Sequence, residues 1–128
     1  HIDQFESLRP VFMKVIEYSK AMGLDMIQGD HEDAPGQLEL NWTYDNVLRN
    51  ADRLSTYRQI CAQVARENNL IACFMTKPFM GVSASGCHTN MSLWKGGKVS
   101  VNKLGMKKLP LCQTLKICNY LVKLDYNL

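Results

Sequence analysis

The sequence lacks the long apolar runs, paired cysteines and one-sided charge that mark membrane, disulfide-rich and nucleic-acid-binding proteins. Its longest apolar stretches, such as residues 70–75, are far shorter than the roughly 20 residues that span a bilayer. No charged-then-apolar leader opens it, so we expect no membrane partner and a soluble, cytoplasmic protein. The 15 basic and 12 acidic residues leave a net charge of only +3, which predicts no nucleic-acid partner. Five cysteines without a C-x-x-C pair favour a reducing compartment.

What the sequence does contain is typical of one globular domain. Its 128 residues are 46% hydrophobic and 21% charged, and they show no low-complexity segment, internal repeat or linker. Predicted strands and helices intermix without regular βαβ alternation. We therefore predict the α+β class, with a mixed, largely antiparallel sheet and flanking helices. Because the chain begins with His1 rather than Met, we also expect it to be a piece of a longer protein.

Periodicity and end signals assign most of the chain to helices and strands. One helix is predicted from a cap at Ser7 to Gly23, and a longer one from a cap at Asp45 to Glu67. We expect the apolar stripe of the second helix, which begins at Leu48, to face inward and the four arginines of that helix to face mostly outward. The remaining predictions are strands at residues 24–27, 37–44, 70–75 and 87–94, a hairpin turn at Gly96-Gly97, and weak helical periodicity over residues 103–128.

A polar stripe on the strand at residues 37–44 carries the first candidate ligand. Period-2 geometry places Glu39 between Gln37 and Asn41 on one face, opposite the apolar residues. Glu32 lies just before a Pro-Gly turn, so the chain can fold back and bring the two carboxylates together. Two nearby carboxylates repel unless a cation lies between them or one is protonated. A hard divalent cation, Mg²⁺ or Mn²⁺, accounts for the pair most simply.

A second polar stripe occurs on the strand at residues 87–94, where His88, Asn90 and Ser92 share one face. If both stripes face one cleft, Glu32, Glu39 and His88 form an oxygen-rich metal site with one nitrogen ligand. By spacing alone, solvated edge-strand glutamates and a hydrogen-bonded histidine are the better account. Cys87 precedes His88 on the strand and so points to the opposite face, which argues against a cysteine nucleophile.

Four blocks of sequence, in this order and spacing, resemble the glutamine synthetase catalytic domain. They are GDHEDAPGQLE at residues 29–39, Ala51-Asp52, FMTKPF at residues 74–79, and SGCH at residues 85–88 followed by Ser92-Leu93-Trp94. The resemblance is strongest over residues 20–100. It implies that residues 1–128 are a fragment of that domain, with a divergent tail at residues 105–128.

The resemblance implies roles for individual residues. In the family, the glutamates matching Glu32 and Glu39 ligate the first of two divalent ions, and the histidine matching His88 ligates the second. The substrate glutamate is held largely through backbone, at the positions of Ser83, Ala84 and Gly86. The strand that follows meets the nucleotide, at the positions of Asn90 and Ser92. The matching cofactors are Mg²⁺ or Mn²⁺, with ATP as co-substrate.

The implied activity is an ATP-dependent ligase that joins glutamate and ammonia through a γ-glutamyl phosphate. The family forms homo-oligomeric double rings with active sites between neighbouring subunits. Other metal ligands and phosphate-binding arginines of the family have no counterpart here, so we expect this piece to be inactive alone. Ser83-Ala84 replaces a common Asn-Gly pair, and Asn90 replaces a second histidine. A ligase for another amine, or a non-catalytic relative, therefore stays open.

Overall fold

The computed structural model describes residues 2–95, 98–99 and 111–123, which form helices and antiparallel strands of one sheet. This arrangement confirms the predicted α+β class. Neither helix in these ranges combines the length and apolar character needed to cross a membrane. In chain order the elements are α1 (Ile2–Ala21), β1 (Met26–His31), β2 (Gln37–Trp42), β3 (Asp45–Asn46), α2 (Val47–Glu67), β4 (Leu70–Cys73), β5 (Cys87–Lys95), β6 (Lys98–Val99) and β7 (Leu111–Lys123).

The sheet is organised around β7, the 13-residue strand at its centre. β2 and β3 pair with one side of β7 in tandem, while β5 and β4 pair with its other side. β1 extends the sheet beyond β2, and β6 pairs with the end of β5. The weak helical periodicity predicted over residues 103–128 is therefore wrong for residues 111–123. Strand formation there is decided by pairing with distant segments, which local periodicity does not register.

Both helices pack against one face of the sheet. The core cluster joins Leu38, Leu40 and Trp42 of β2 to apolar residues of the two helices. Trp42 is fully buried and packs against Tyr57 of α2, with ring centroids 5.3 Å apart. Gly29 lets α1 approach β1 this closely, because an added Cβ would overlap the Phe12 ring and lie 2.8 Å from Leu40 Cδ2.

The helix boundaries differ from the predicted ones in two places. α1 begins at Ile2 rather than after Ser7, and it contains Pro10 in its interior. Packing of Phe5 on Phe12, with ring centroids 5.2 Å apart, stabilises the additional N-terminal turns. At α2 the cap is Asn46 rather than Asp45, since the Asn46 side chain accepts a hydrogen bond from the Leu48 backbone amide at 3.0 Å.

The inward stripe of α2 runs through polar as well as apolar residues. It includes Asn50, Arg53 and Tyr57, so Leu48, two positions before Asn50, is 71% exposed rather than inward. Arg53 is buried, contrary to the outward orientation expected for the arginines. Its guanidinium contacts Asp25 at 3.4 Å and Asp45 at 3.3 Å, which joins α2 to the start of β1 and to β3.

Candidate functional site

The chain folds back between Glu32 and Gln37, as the Pro-Gly pair predicts. The Gln37 amide donates to the Ala34 carbonyl at 3.0 Å, and the Glu32 amide donates to the Gln37 carbonyl at 2.9 Å. Gly36 has a φ of +75°, which a type II turn requires at its third position. Glu32 is half-buried at the start of this turn, and Glu39 is 3% exposed two residues beyond its end.

Glu39 lies on the face of β2 that the helices do not cover. Its neighbours on that face are Gln37, 1% exposed, and Asn41, whose side-chain amide donates to Glu39 Oε1 at 2.9 Å. A buried carboxylate is stabilised by such donors, because burial without hydrogen bonds is costly. This face of β2 is thus polar and hydrogen-bonded, with Gln37 and Glu39 buried and Asn41 half-buried.

The pairing register of β7 brings the two predicted polar stripes onto the same face of the sheet. Asn41 and His88 both pair with position 116, from opposite sides of β7, and Glu39 pairs with position 118. Directly paired positions, and positions two apart on a strand, share a face. We call this side the polar face. Its members on β2 and β5 are Gln37, Glu39, Asn41, His88, Asn90 and Ser92.

The β5 part of the polar face is the more open part. His88 and Asn90 are exposed, whereas Ser92 is half-buried. A Cβ added at Gly86 would lie 3.1 Å from His88 Cδ2 and 3.2 Å from His88 Nε2. The imidazole therefore lies directly over Gly86, and the absence of a side chain at that position leaves room for it.

Trp94 adjoins Ser92 and stacks on Tyr44, and neither aromatic residue was predicted as a site residue. The Trp94 indole N–H donates to Ser92 Oγ at 2.8 Å, and Tyr44 stacks on Trp94 with ring centroids 5.5 Å apart. The parity of Trp94 and Ser92 on β5 could have indicated the first contact. The second depends on how β5 and the segment between β2 and β3 lie on opposite sides of β7, which the sequence does not reveal.

The loop between β4 and β5 is anchored to the turn before β2. The Gln37 side-chain amide donates to the Ala84 carbonyl at 3.1 Å, and the Ser83 hydroxyl donates to Asp33. Within the loop, the Ser85 amide donates to the Thr76 carbonyl at 2.7 Å. Among the described non-glycine residues, Asn69 alone has a positive φ, so Ala84 occupies its position without left-handed strain.

The predicted metal ligands are not gathered into a single cluster. Within the ranges that the structure describes, no group of three or more His, Cys, Asp or Glu side chains is arranged to hold a metal ion. The resemblance assigns Glu32 and Glu39 to one ion and His88 to another. Each ion therefore has fewer than three predicted ligands in this chain. Carboxylates and imidazole are suitable donors for Mg²⁺ or Mn²⁺. The ligand roles of Glu32, Glu39 and His88 stay predictions.

The helix-covered face of the sheet is an apolar environment, and its Cys61 thiol is not reactive near neutral pH. An apolar cavity of about 20 Å³ lies there, lined by residues of α1, α2, β2 and β4, and it is no larger than a water molecule needs. Cys61 borders this cavity, and burial raises the pKa of its thiol to about 12. A thiol with that pKa is not ionised near neutral pH, so it packs as a small apolar group.

Comparisons with known proteins agree with the motifs. The family model of the glutamine synthetase catalytic domain matches residues 1–115. The glutamine synthetase of Rhizobium leguminosarum bv. phaseoli is 43% identical over 84 residues, which are 66% of this chain and 19% of that protein. That of Rhizobium meliloti (strain 1021) is 42% identical over 84 residues, with the same two shares of 66% and 19%. The Methanococcus voltae glutamine synthetase is 39% identical over 79 residues, or 62% of this chain and 18% of that protein.

The matched relatives are much longer than this chain. No solved structure gives a significant match. The chain spans 19% of the length of the two Rhizobium relatives. The family model nevertheless covers well over half of the chain, and the chain belongs to the glutamine synthetase catalytic-domain family.

Proposed function

We propose that this chain is part of an ATP-dependent ligase that forms glutamine from glutamate and ammonia through a γ-glutamyl phosphate. Membership of the family supports a ligase. The observation that carries the proposal is the register of β7, which aligns Glu39 and His88 on the polar face from opposite sides of one strand. We further propose that the full protein is a cytoplasmic homo-oligomer in which other segments complete the site.

On this proposal, Glu32 and Glu39 hold one divalent ion, Mg²⁺ or Mn²⁺, and His88 holds a second. Bound ions would neutralise negative charge on the nucleotide phosphates and the substrate carboxylate. The protein's part is to fix the donors in advance. Asn41 holds the Glu39 carboxylate through its amide at 2.9 Å, and the type II turn fixes the backbone beside Glu32.

The nucleotide and the amino acid substrate occupy neighbouring parts of the polar face in this proposal. Asn90 and Ser92 contact the nucleotide phosphates and sugar. Because Ser92 Oγ accepts the Trp94 indole hydrogen, its own hydroxyl hydrogen is directed elsewhere and is able to donate to a phosphate oxygen. Ser83, Ala84 and Gly86 accommodate glutamate in a loop whose backbone is anchored to Gln37 and Thr76.

The reaction that these residues serve has two displacement steps. The γ-carboxylate of glutamate attacks the γ-phosphorus of ATP, the bond to the bridging oxygen breaks, and ADP leaves. Ammonia then attacks the γ-carbonyl of the acyl phosphate, loses a proton, and displaces inorganic phosphate to give glutamine. Alignment of the two anions contributes much of the acceleration in such transfers. Anchoring of the loop at residues 83–86 would help to keep water away from the acyl phosphate.

The test of the proposed function is glutamine formation by the full natural protein that contains this chain. We expect activity that requires ATP, glutamate and ammonia together, and no turnover by the 128-residue chain alone. A full protein that neither forms glutamine nor releases phosphate from ATP would reject the ligase and favour a non-catalytic relative.

Transfer to an amine other than ammonia is the second candidate. It is favoured by Ser83-Ala84, where the Ser83 hydroxyl is bonded to Asp33 and Ala84 carries a methyl group in the substrate loop. Competition between ammonia and small primary amines in the same assay separates the two reactions. Preference for ammonia at equal concentration of unprotonated amine would reject the second candidate.

A further inference from the structure

Gln37 is a buried amide whose two ends join parts of the site that are far apart in sequence. Its side chain is 1% exposed. The side-chain oxygen accepts from the Ala34 amide at 3.1 Å, while the side-chain nitrogen donates to the Ala84 carbonyl at 3.1 Å, 47 residues away. A carboxamide suits this position because it supplies one acceptor and one donor from the same planar group.

The bond to Ala84 fixes one particular peptide unit of the substrate loop. The Ala84 carbonyl and the Ser85 N–H belong to the same trans peptide, so they point in opposite directions. Gln37 holds the carbonyl at 3.1 Å, and the Thr76 carbonyl holds the N–H at 2.7 Å. The peptide is therefore held on both sides, and the adjoining backbone at Ser83 and Gly86 takes its orientation from it.

A second contact supports the same connection. The Ser83 hydroxyl donates to Asp33, which lies in the turn that Gln37 closes. The turn beside Glu32 and the loop at residues 83–86 are thus joined twice, once through a buried amide and once through an exposed pair. Loss of the link through Gln37 is expected to matter more, because the Gln37 side chain and the Ala34 amide would be left unsatisfied away from water.

We propose that Gln37 is a positioning residue that holds the loop at residues 83–86 in the conformation that accepts the glutamate substrate. The proposal rests on the proposed function for its substrate, and on the hydrogen bonds at both ends of the Ala84–Ser85 peptide for its geometry. Gln37 does not itself touch substrate. It acts on glutamate binding through the backbone, and it leaves the nucleotide contacts of Asn90 and Ser92 on β5 unchanged.

Two variants separate positioning from a general loss of structure. Gln37→Met removes both hydrogen bonds at similar volume. Gln37→Glu keeps an acceptor for the Ala34 amide, but its ionised form presents an oxygen to the Ala84 carbonyl. Gln37→Glu therefore removes the bond to Ala84 while it keeps the bond to Ala34. Gln59→Met, at an exposed position of α2, is the matched control.

In steady-state assays of the full natural protein, we expect Gln37→Met to raise the KM for glutamate roughly tenfold, because the substrate loop loses its hydrogen bond to Gln37. The KM for ATP should stay within about twofold, and Gln59→Met should match the wild type. Gln37→Glu, which loses only the bond to Ala84, should raise the KM for glutamate to a similar extent. Equal changes in both KM values, or none, would overturn the proposal.

Amide hydrogen exchange tests the positioning role of Gln37 without a measurement of enzyme activity. Failure of the positioning role can therefore be distinguished from failure of the proposed function. We expect faster exchange at residues 83–86 in Gln37→Met, with α2 protection unchanged and no effect of Gln59→Met. If the wild type proves inactive, the proposed function fails and exchange alone decides the positioning role. Unchanged exchange in the loop would overturn it. Global unfolding of both Gln37 variants would also overturn it, because Gln37 would then serve folding as a whole.

Discussion

The two faces of β2 are buried to a similar degree by opposite means. Leu38 and Leu40 are 6% and 3% exposed beneath the helices, while Gln37 and Glu39 are 1% and 3% exposed on the polar face. The helix-covered side gains stability from apolar burial. The polar side must offset desolvation with hydrogen bonds, and it contributes less stability than an apolar surface of that shape would. A strand with one polar, buried face is typical of a binding site, where residues that serve function contribute less to folding stability.

The largest expected effect tests the helix-covered face. Trp42→Ala should lower the free energy of unfolding by about 3–5 kcal/mol, because it leaves a cavity beneath α1 and α2 and removes the contact with Tyr57. Urea denaturation followed by circular dichroism measures this change. Leu48→Ala, at a position 71% exposed, is the control and should change it by no more than about 0.5 kcal/mol. Similar losses in both variants would mean that the core does not lie where we describe it.

An intermediate effect is expected at the polar face, where chemistry rather than stability should change. Gly86→Ala would place a methyl group 3.1 Å from His88 Cδ2, so the imidazole must shift by a few tenths of an ångström. We expect divalent-ion binding by the full natural protein to weaken roughly tenfold, a free-energy change near 1.4 kcal/mol. Isothermal titration with Mn²⁺ measures it, and Gly81→Asn, at an open left-handed position, is a control for loop substitution. Unchanged binding in Gly86→Ala would show that the position of His88 does not matter.

The sequence predicted the parts of this comparison that depend on local spacing. The alternation of Gln37, Leu38 and Glu39 assigns side chains to opposite faces whatever the partner strands are, and the Pro-Gly pair predicts the turn after Glu32. The motif blocks then indicated the family, which no single spacing could.

The remaining features depend on contacts that are remote in sequence. β7 forms because neighbouring strands pair along both of its sides, and its own residues carry only a weak local signal. Arg53 lies on the inward stripe of α2, and its buried charge is compensated by contacts with Asp25 and Asp45, which spacing along α2 does not reveal. The link from Gln37 to Ala84 crosses 47 residues and was not predicted. Whether Glu32, Glu39 and His88 bind metal is likewise not decided by spacing.

The smallest expected effect lies at Asp45, between the strands and α2. The Asn46 backbone amide, followed by the charges of Arg49 and Arg53, lowers the pKa of this carboxyl below its usual value of 3.8. The folded state thus favours the ionised form, and this stabilisation is lost as the pH falls through the folded-state pKa. Asp45→Asn should lower the free energy of unfolding at neutral pH by less than about 1 kcal/mol.

The pH dependence of that difference is the check. Urea midpoints of the wild type and Asp45→Asn should differ above about pH 5 and converge as the pH falls toward about 2. Asp52→Asn, an exposed position of α2, is the matched control. A difference that persists unchanged at the lowest pH would contradict the assignment to the ionised carboxylate.

The most direct test of the polar face as a metal-binding face is electron paramagnetic resonance of Mn²⁺ with the full natural protein. Glu39→Gln keeps an oxygen that can accept the Asn41 amide, so the fold should remain while the charge is lost. We predict at least roughly tenfold weaker Mn²⁺ binding in Glu39→Gln, and wild-type binding in Asp52→Asn. Equal Mn²⁺ affinity in wild type and Glu39→Gln would contradict the account.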